Sequence, residues 1–226
     1  MTDSTQPRRL ALVHTVAGLV PRFRELASEL MPDVETFDIV DETLLRDASR
    51  EGTVSLDTAR RLFAHLAAAE RHGADAIVVT CSSVGGVVDA ARPFAGVPLL
   101  RIDQAMAERA VSVGHRIGVL ATLTSTLAPT AALIRRTATE ASRDAEVLDR
   151  VCDGAFEALR AGEVDRHDEL VREGLRELIG WADVIVLAQA SMARVVDSLS
   201  DDERRTPILS SPRLGMERMR EILGGG

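Results

Sequence analysis

Aromatic residues are scarce in this 226-residue chain, with five Phe, one Trp and no Tyr. Its cores must therefore be filled by Ala, Val, Leu and Ile, which suits helices packed closely on sheets. Cysteine is nearly absent as well: Cys81 and Cys152 are the only two, far apart. That argues against a disulfide framework or a zinc site and makes a reducing, cytoplasmic compartment the default. Positive charge is outweighed, 27 Lys and Arg against 35 Asp and Glu, for a net charge of −8. A nucleic-acid surface needs clustered cations. Here Arg is interspersed with acids, as in Asp201-Asp202-Glu203-Arg204-Arg205, the pattern of a solvated loop. No apolar run approaches the ~20 residues of a membrane span, and residues 1–9 lack the apolar stretch of a signal peptide. Neither nucleic acid nor membrane is expected as a partner.

What the chain does have is a duplication. Ala74 to Ser83 matches Ala182 to Ser191 with five identities in ten positions, and Cys81 falls opposite Gln189. Arg9-Leu10-Ala11-Leu12-Val13-His14-Thr15 resembles Arg116-Ile117-Gly118-Val119-Leu120-Ala121-Thr122, and Val97-Pro98-Leu99-Leu100 resembles Thr206-Pro207-Ile208-Leu209. The offset drifts only from 107 to 109 residues. Nearly the whole chain is one unit written twice, with a thiol kept in one copy and absent from the other.

Apolar runs at 10–14, 76–79, 97–100, 117–121, 184–188 and 207–209 are short, do not alternate, and are bounded by Gly, Pro or polar residues. Such runs are strands buried on both faces of a parallel sheet. Weaker strand signals lie at 34–40 and 145–149. Helical periodicity covers 55–72, with Ser55 as cap, then 103–113, with Asp103 as cap and Gly114 as stop, and 166–180. The fold class expected is α/β: two pseudo-symmetric lobes, each a parallel sheet flanked by helices. Residues 1–103 form the first lobe, carrying Cys81, and 104–226 the second, carrying Gln189. The alternative is that helix 214–223 crosses back to pack on the first.

In open parallel sheets, ligands bind beyond the carboxyl ends of the strands. Six loops qualify: His14-Thr15-Val16, Asp41-Glu42, Cys81-Ser82-Ser83, Thr122 to Thr126, Gln189-Ala190-Ser191 and Ser210-Ser211. Cys81 ends a buried strand and precedes Ser82-Ser83-Val84-Gly85-Gly86, the start of a helix, whose free N–H groups are expected to lower a thiol pKa. An ordinary buried cysteine is the plainer reading. His14 ends the first strand and is a candidate general base or carboxylate ligand. His65, His72, His115 and His167 are expected in solvent, and Cys152 in the core. The turn after the first strand lacks G-x-G-x-x-G, which argues against a dinucleotide.

Val79-Thr80-Cys81-Ser82-Ser83, the duplicated half-units and Leu187-Ala188-Gln189-Ala190-Ser191-Met192 resemble the aspartate/glutamate/hydantoin racemase superfamily over nearly the full length. The resemblance implies two flavodoxin-like lobes with an active-site cleft between them, and a homodimer. It implies a pair of cysteines flanking the α-carbon of a small anionic substrate, one removing a proton and the other delivering one, with no cofactor and no metal. Cys81 matches the first cysteine. Gln189 stands where the second is expected, and an amide has no usable pKa for acid–base work. Ser82 and Ser83 resemble the first lobe's carboxylate cradle, and Thr122, Thr124, Ser125 and Thr126 the second's. Gln189, Ala190 and Ser191 are further candidates to touch substrate. Turn chemistry and helix capping account equally for the Thr/Ser run.

These residues leave three functions open. One is a racemase-type isomerase acting by Cys81-mediated proton transfer at the α-carbon of a carboxylate or amino acid. A second is a one-sided decarboxylase or cis–trans isomerase using the same thiol. The third is a carboxylate-binding protein without catalysis.

Overall fold

The computed structural model describes residues 7–196 and 198–224. Each short apolar run folds as a strand, and the patterned stretches between them fold as helices. In the first half, β1 (Arg9–His14) leads through a 3-10 turn into α1 (Val20–Leu30), and β2 (Glu35–Val40) into α2 (Glu42–Glu51) and α3 (Leu56–Arg71). Then β3 (Ala76–Val79) passes through a 3-10 turn, Ser82–Val84, into α4 (Gly85–Ala91), and β4 (Leu99–Arg101) completes the sheet. The second half runs α5 (Gln104–Val113), β5 (Arg116–Ala121), α6 (Thr124–Glu140), β6 (Glu146–Val151), α7 (Ala155–Arg160) and α8 (Val164–Leu178). It continues with β7 (Val184–Leu187), a 3-10 turn at Ala190–Met192, α9 (Ala193–Val196), β8 (Ile208–Ser210) and α10 (Ser211–Gly224).

Both sheets are four-stranded and parallel, in the orders β2-β1-β3-β4 and β6-β5-β7-β8, so the duplication read in the sequence is a duplication of topology. The chain divides into two compact units: one runs to Ile102 and resumes at Gly215, and the other is Asp103–Leu214. The final helix, allotted above to the second lobe with the option of crossing back, thus has its residues from Gly215 onward in the first unit.

Pleating sorts each strand between two faces. Leu10 and Leu12 of β1 pack with Phe23 and Leu26 of α1 and with Met216 and Met219 of α10. Ala11 and Val13 pack with Leu44, Leu62, Leu66 and Val88 of α2, α3 and α4. In the second unit Ile117, Val119 and Ala121 face α5 and α6, and Leu120, Ile185 and Leu187 face α8 and the turn at Met192. Burying each Leu, Ile or Val contributes about 1.5–3 kcal/mol. Strands β2 and β6 are sheet edges with half-exposed side chains, hence their faint apolar signal.

Helix starts follow local chemistry. Ser55 caps α3, its hydroxyl accepting from the Thr58 N–H at 3.3 Å. Asp41 caps α2, its carboxylate accepting from the Thr43 N–H at 2.9 Å. Asp103 stands at the cap position of α5 but makes no side-chain cap bond, and Gly114 ends that helix.

Candidate active site

With the order β2-β1-β3-β4, the chain leaves β1 toward one side and returns at β3 on the other, so the crevice of this sheet opens beyond the carboxyl ends of β1 and β3. Val13 and Val79 are register partners. Two residues further on, Thr15 and Cys81 stand side by side. The second sheet repeats the arrangement: Leu120 pairs with Leu187, bringing Thr122 beside Gln189.

Cys81 is half-buried, and its sulfur is held by four donors: the Thr15 hydroxyl, the backbone N–H groups of Ser83 and Val84, and the Ser83 hydroxyl. Burial pushes the thiol above its ordinary value, and these four donors pull the other way without cancelling it. The expectation of a thiol lowered by helix-start N–H groups is therefore corrected. The N–H groups are present, but taking sulfur out of water costs more than they return. At neutral pH the group rests as a protonated thiol. Ser82 and Ser83 are themselves 5% and 3% exposed, so Ser83 serves the sulfur rather than solvent. Thr15, named from the sequence only as part of the loop after the first strand, is the residue in register with Cys81.

Sequence reasoning points His14 toward substrate, but the ring is fully buried. Its Nε2 lies 2.9 Å from Asp38 Oδ1 and its Nδ1 3.0 Å from Thr80 Oγ1, with Phe23 packed at 5.5 Å between ring centroids. Burial lowers its pKa, opposed by Asp38 and reinforced by Arg24. Asp38 engages Nε2 and the Thr80 hydroxyl, which also donates to the Val13 carbonyl at 3.2 Å, engages Nδ1, leaving no nitrogen for a ligand. His14 thus braces Thr80, the residue before Cys81.

In the second unit, Gln189 is latched to Thr122 twice. The Thr122 N–H donates to Oε1 and Nε2 donates to the Thr122 hydroxyl, both at 2.7 Å. Thr122 is buried, Thr124 is exposed at the start of α6, and Ser125, Ala190 and Ser191 are half-buried at the same strand ends. The Thr126 N–H bonds to the Leu123 carbonyl at 3.1 Å, the turn chemistry anticipated there.

Cys152 packs in the core among Leu120, Val171 and Leu175. Burial, then the charges of Glu177, Asp153 and Glu173, push its thiol up to about 12. Two histidines depart from expectation. His167 is fully buried, its Nδ1 2.7 Å from Asp168 Oδ1, because its position on α8 lies one turn before the core residue Val171. His65 is partly buried and pairs with Asp41 at 2.9 Å. Among the described residues, no group of three His, Cys, Asp or Glu is placed to hold a metal ion, and no helix is long and apolar enough to cross a membrane.

Two units with one parallel topology, each a four-stranded sheet flanked by helices, give the two-lobed α/β architecture of racemase-type enzymes, with a thiol at the switch point of one unit and an amide at the matching position of the other. The family model for Asp/Glu/Hydantoin racemase matches residues 13–219, and the chain belongs to that family of isomerases. Solved structures share the fold at low identity. An allantoin racemase from Klebsiella pneumoniae is 21% identical over 96% of this chain and 88% of its own, with a TM-score of 0.69. A glutamate racemase from Bacillus anthracis is 18% identical over 96% and 82%, TM-score 0.75. An aspartate racemase homologue from Pyrococcus horikoshii is 15% identical over 97% and 100%, TM-score 0.66. No curated protein matches the sequence.

Proposed function

We propose that the protein is a cofactor-independent enzyme that moves a proton at the carbon beside the carboxylate of a small acid or amino acid, with Cys81 carrying the proton. The observation behind this reading is the Cys81 sulfur, held by four donors at the switch point of its sheet. As a thiolate, it would accept the α-proton while the electron pair spreads onto the carboxylate as an enediolate. As a thiol, it would give its proton to the same carbanion, whether that arose by proton loss or by loss of CO₂ from a malonate-type acid. The raised pKa suits the thiol as donor. All 27 cationic residues are Arg. A lysine Schiff base, the usual anchor of pyridoxal chemistry, therefore cannot form, which supports transfer by side chains alone.

The latch between Gln189 and Thr122 favours one-sided chemistry. The repeat position of Cys81 is filled by a group that neither gives nor takes a proton, and its amide is already engaged. On this reading, exchange or protonation at one face outpaces inversion.

The test is incubation with small amino, hydroxy and malonate-type acids in deuterated water, followed by NMR. We expect deuterium at the α-carbon, or loss of CO₂, with one substrate class, and inversion slower than exchange. Cys81→Ala should reduce the rate by at least about 10²-fold. No exchange, inversion or CO₂ loss from folded protein across the panel would overturn the reading. So would full activity of Cys81→Ala.

A further inference from the structure

Among the described residues, the largest fully buried side chain is an arginine, Arg101, 1% exposed at the end of β4. Nothing in the chemistry proposed above uses it. It is the register partner of Val79, two residues before Cys81. Its Nη1 donates to Asp89 Oδ2 at 2.7 Å, and Asp89 Oδ1 accepts from Arg92 at 2.9 Å. Asp89 and Gly85 lie one turn apart on α4, so the guanidinium lies along the first turn of that helix.

Gly85 shows how close the fit is. A methyl group there would overlap Arg101 Cζ and Nη2 and come within 2.7 Å of Nε. Gly85 is also the cap of the Ser82–Val84 turn, its N–H donating to the Ser82 carbonyl. That turn begins at Cys81 and supplies the Ser83 and Val84 N–H groups that hold the sulfur. A planar cation is thus laid flat on the backbone directly after the residues that cradle the thiol.

We propose that Arg101 is a positioning residue for Cys81: its guanidinium, pinned by Asp89 and seated on Gly85, holds the Ser82–Val84 turn closed over the sulfur. This rests on the proton-carrying role given to Cys81, but its test reads the thiol rather than turnover. The fit explains why arginine is required. Lysine offers the same charge to Asp89 but no plane to lie on Gly85. A residue that served only to pair with Asp89 would be replaced by lysine without consequence at the thiol.

The experiment is iodoacetamide labelling of Cys81 followed by mass spectrometry in the full chain, comparing wild type, Arg101→Lys and Gly85→Ala, with folding checked by circular dichroism. Burial is the main force holding the thiol protonated, so a loosened turn admits water and eases ionisation. Labelling at pH 8 should become about tenfold faster in both variants, the effect of about one unit in the labelling midpoint. On any acid that wild type processes, turnover should fall with little change in KM. Folded Arg101→Lys labelled at the wild-type rate would overturn the proposal. Should that variant fail to fold, folded Gly85→Ala with wild-type labelling would do the same. A wild type inert to every acid, with labelling that still responds to Arg101→Lys, would sink the enzymatic reading and leave the positioning role standing.

Discussion

Cys81 and Gln189 occupy one position in two copies of a fold, and their surroundings differ in kind. The thiol is ringed by donors that favour its anion, inside an environment that opposes any charge. The amide is tied by both ends to Thr122. The balance at Cys81 sets a pH signature. The raised pKa means that labelling with iodoacetamide should still be climbing steeply beyond about pH 10 in wild type, where an ordinary thiol, titrating at about 8.5, has levelled off. Thr15→Val keeps the sulfur buried and removes one donor, so labelling at fixed pH should slow by roughly three- to tenfold, as expected for one lost hydrogen bond. A midpoint at or below that of a free cysteine would show that the donors prevail. The position of Cys81 was legible in the sequence, because a strand end is where an open sheet presents its chemistry. The sign of its pKa was not, since that depends on how far the sulfur is sealed from water. His14 failed for a related reason: the right strand end was read, but Asp38 and Thr80, distant in sequence or hidden by pleating, claim both its nitrogens.

Between residue and fold, the strands and helices carry the geometry of the thiol turn. Helix α2 packs against the Ser82–Val84 turn, and Asp41 starts that helix by accepting from Thr43 and pairing with His65. Burial would raise the Asp41 carboxyl, but Thr43 and His65 outweigh it and hold the group below the usual aspartate range. Asp41→Ala should cost about 1 kcal/mol of stability, as for other lost caps, measurable by urea unfolding. A variant as stable as wild type would remove the cap from the account. Most elements were legible because fully buried strands have no polar face to blur the pattern. The edge strands β2 and β6 were faint because solvent lets Glu35, Glu146 and Asp149 interrupt them, and because Asp38 is a buried carboxylate held by His14 and Arg24. Asp41 was noted only as a loop position, since an isolated Asp looks alike in a cap and in a turn.

Over the whole molecule, duplication is the organising fact, and it was readable from a ten-residue match because the matched stretch is a buried strand with the loop at its carboxyl end. What one sequence could not disclose is how the last helix partitions. Met216, Met219 and Leu223 lie in the core beneath β1, and each contributes about 1.5–3 kcal/mol against a domain stability of about 5–15 kcal/mol. A chain ending at Leu214 should therefore lose the cooperative unfolding of its first unit in calorimetry, and Cys81 should label like a free cysteine. Retention of the full-length profile would show that the sheet holds without that cover.

Because the half bearing Cys81 needs residues from both sides of the other half, its folding on the ribosome has a forced schedule. The sheet carrying Cys81 is synthesised before the intervening half, yet one of its apolar flanks stays bare until residues beyond Leu214 have left the tunnel. The sulfur at its strand end is thus made well before its own unit can be completed.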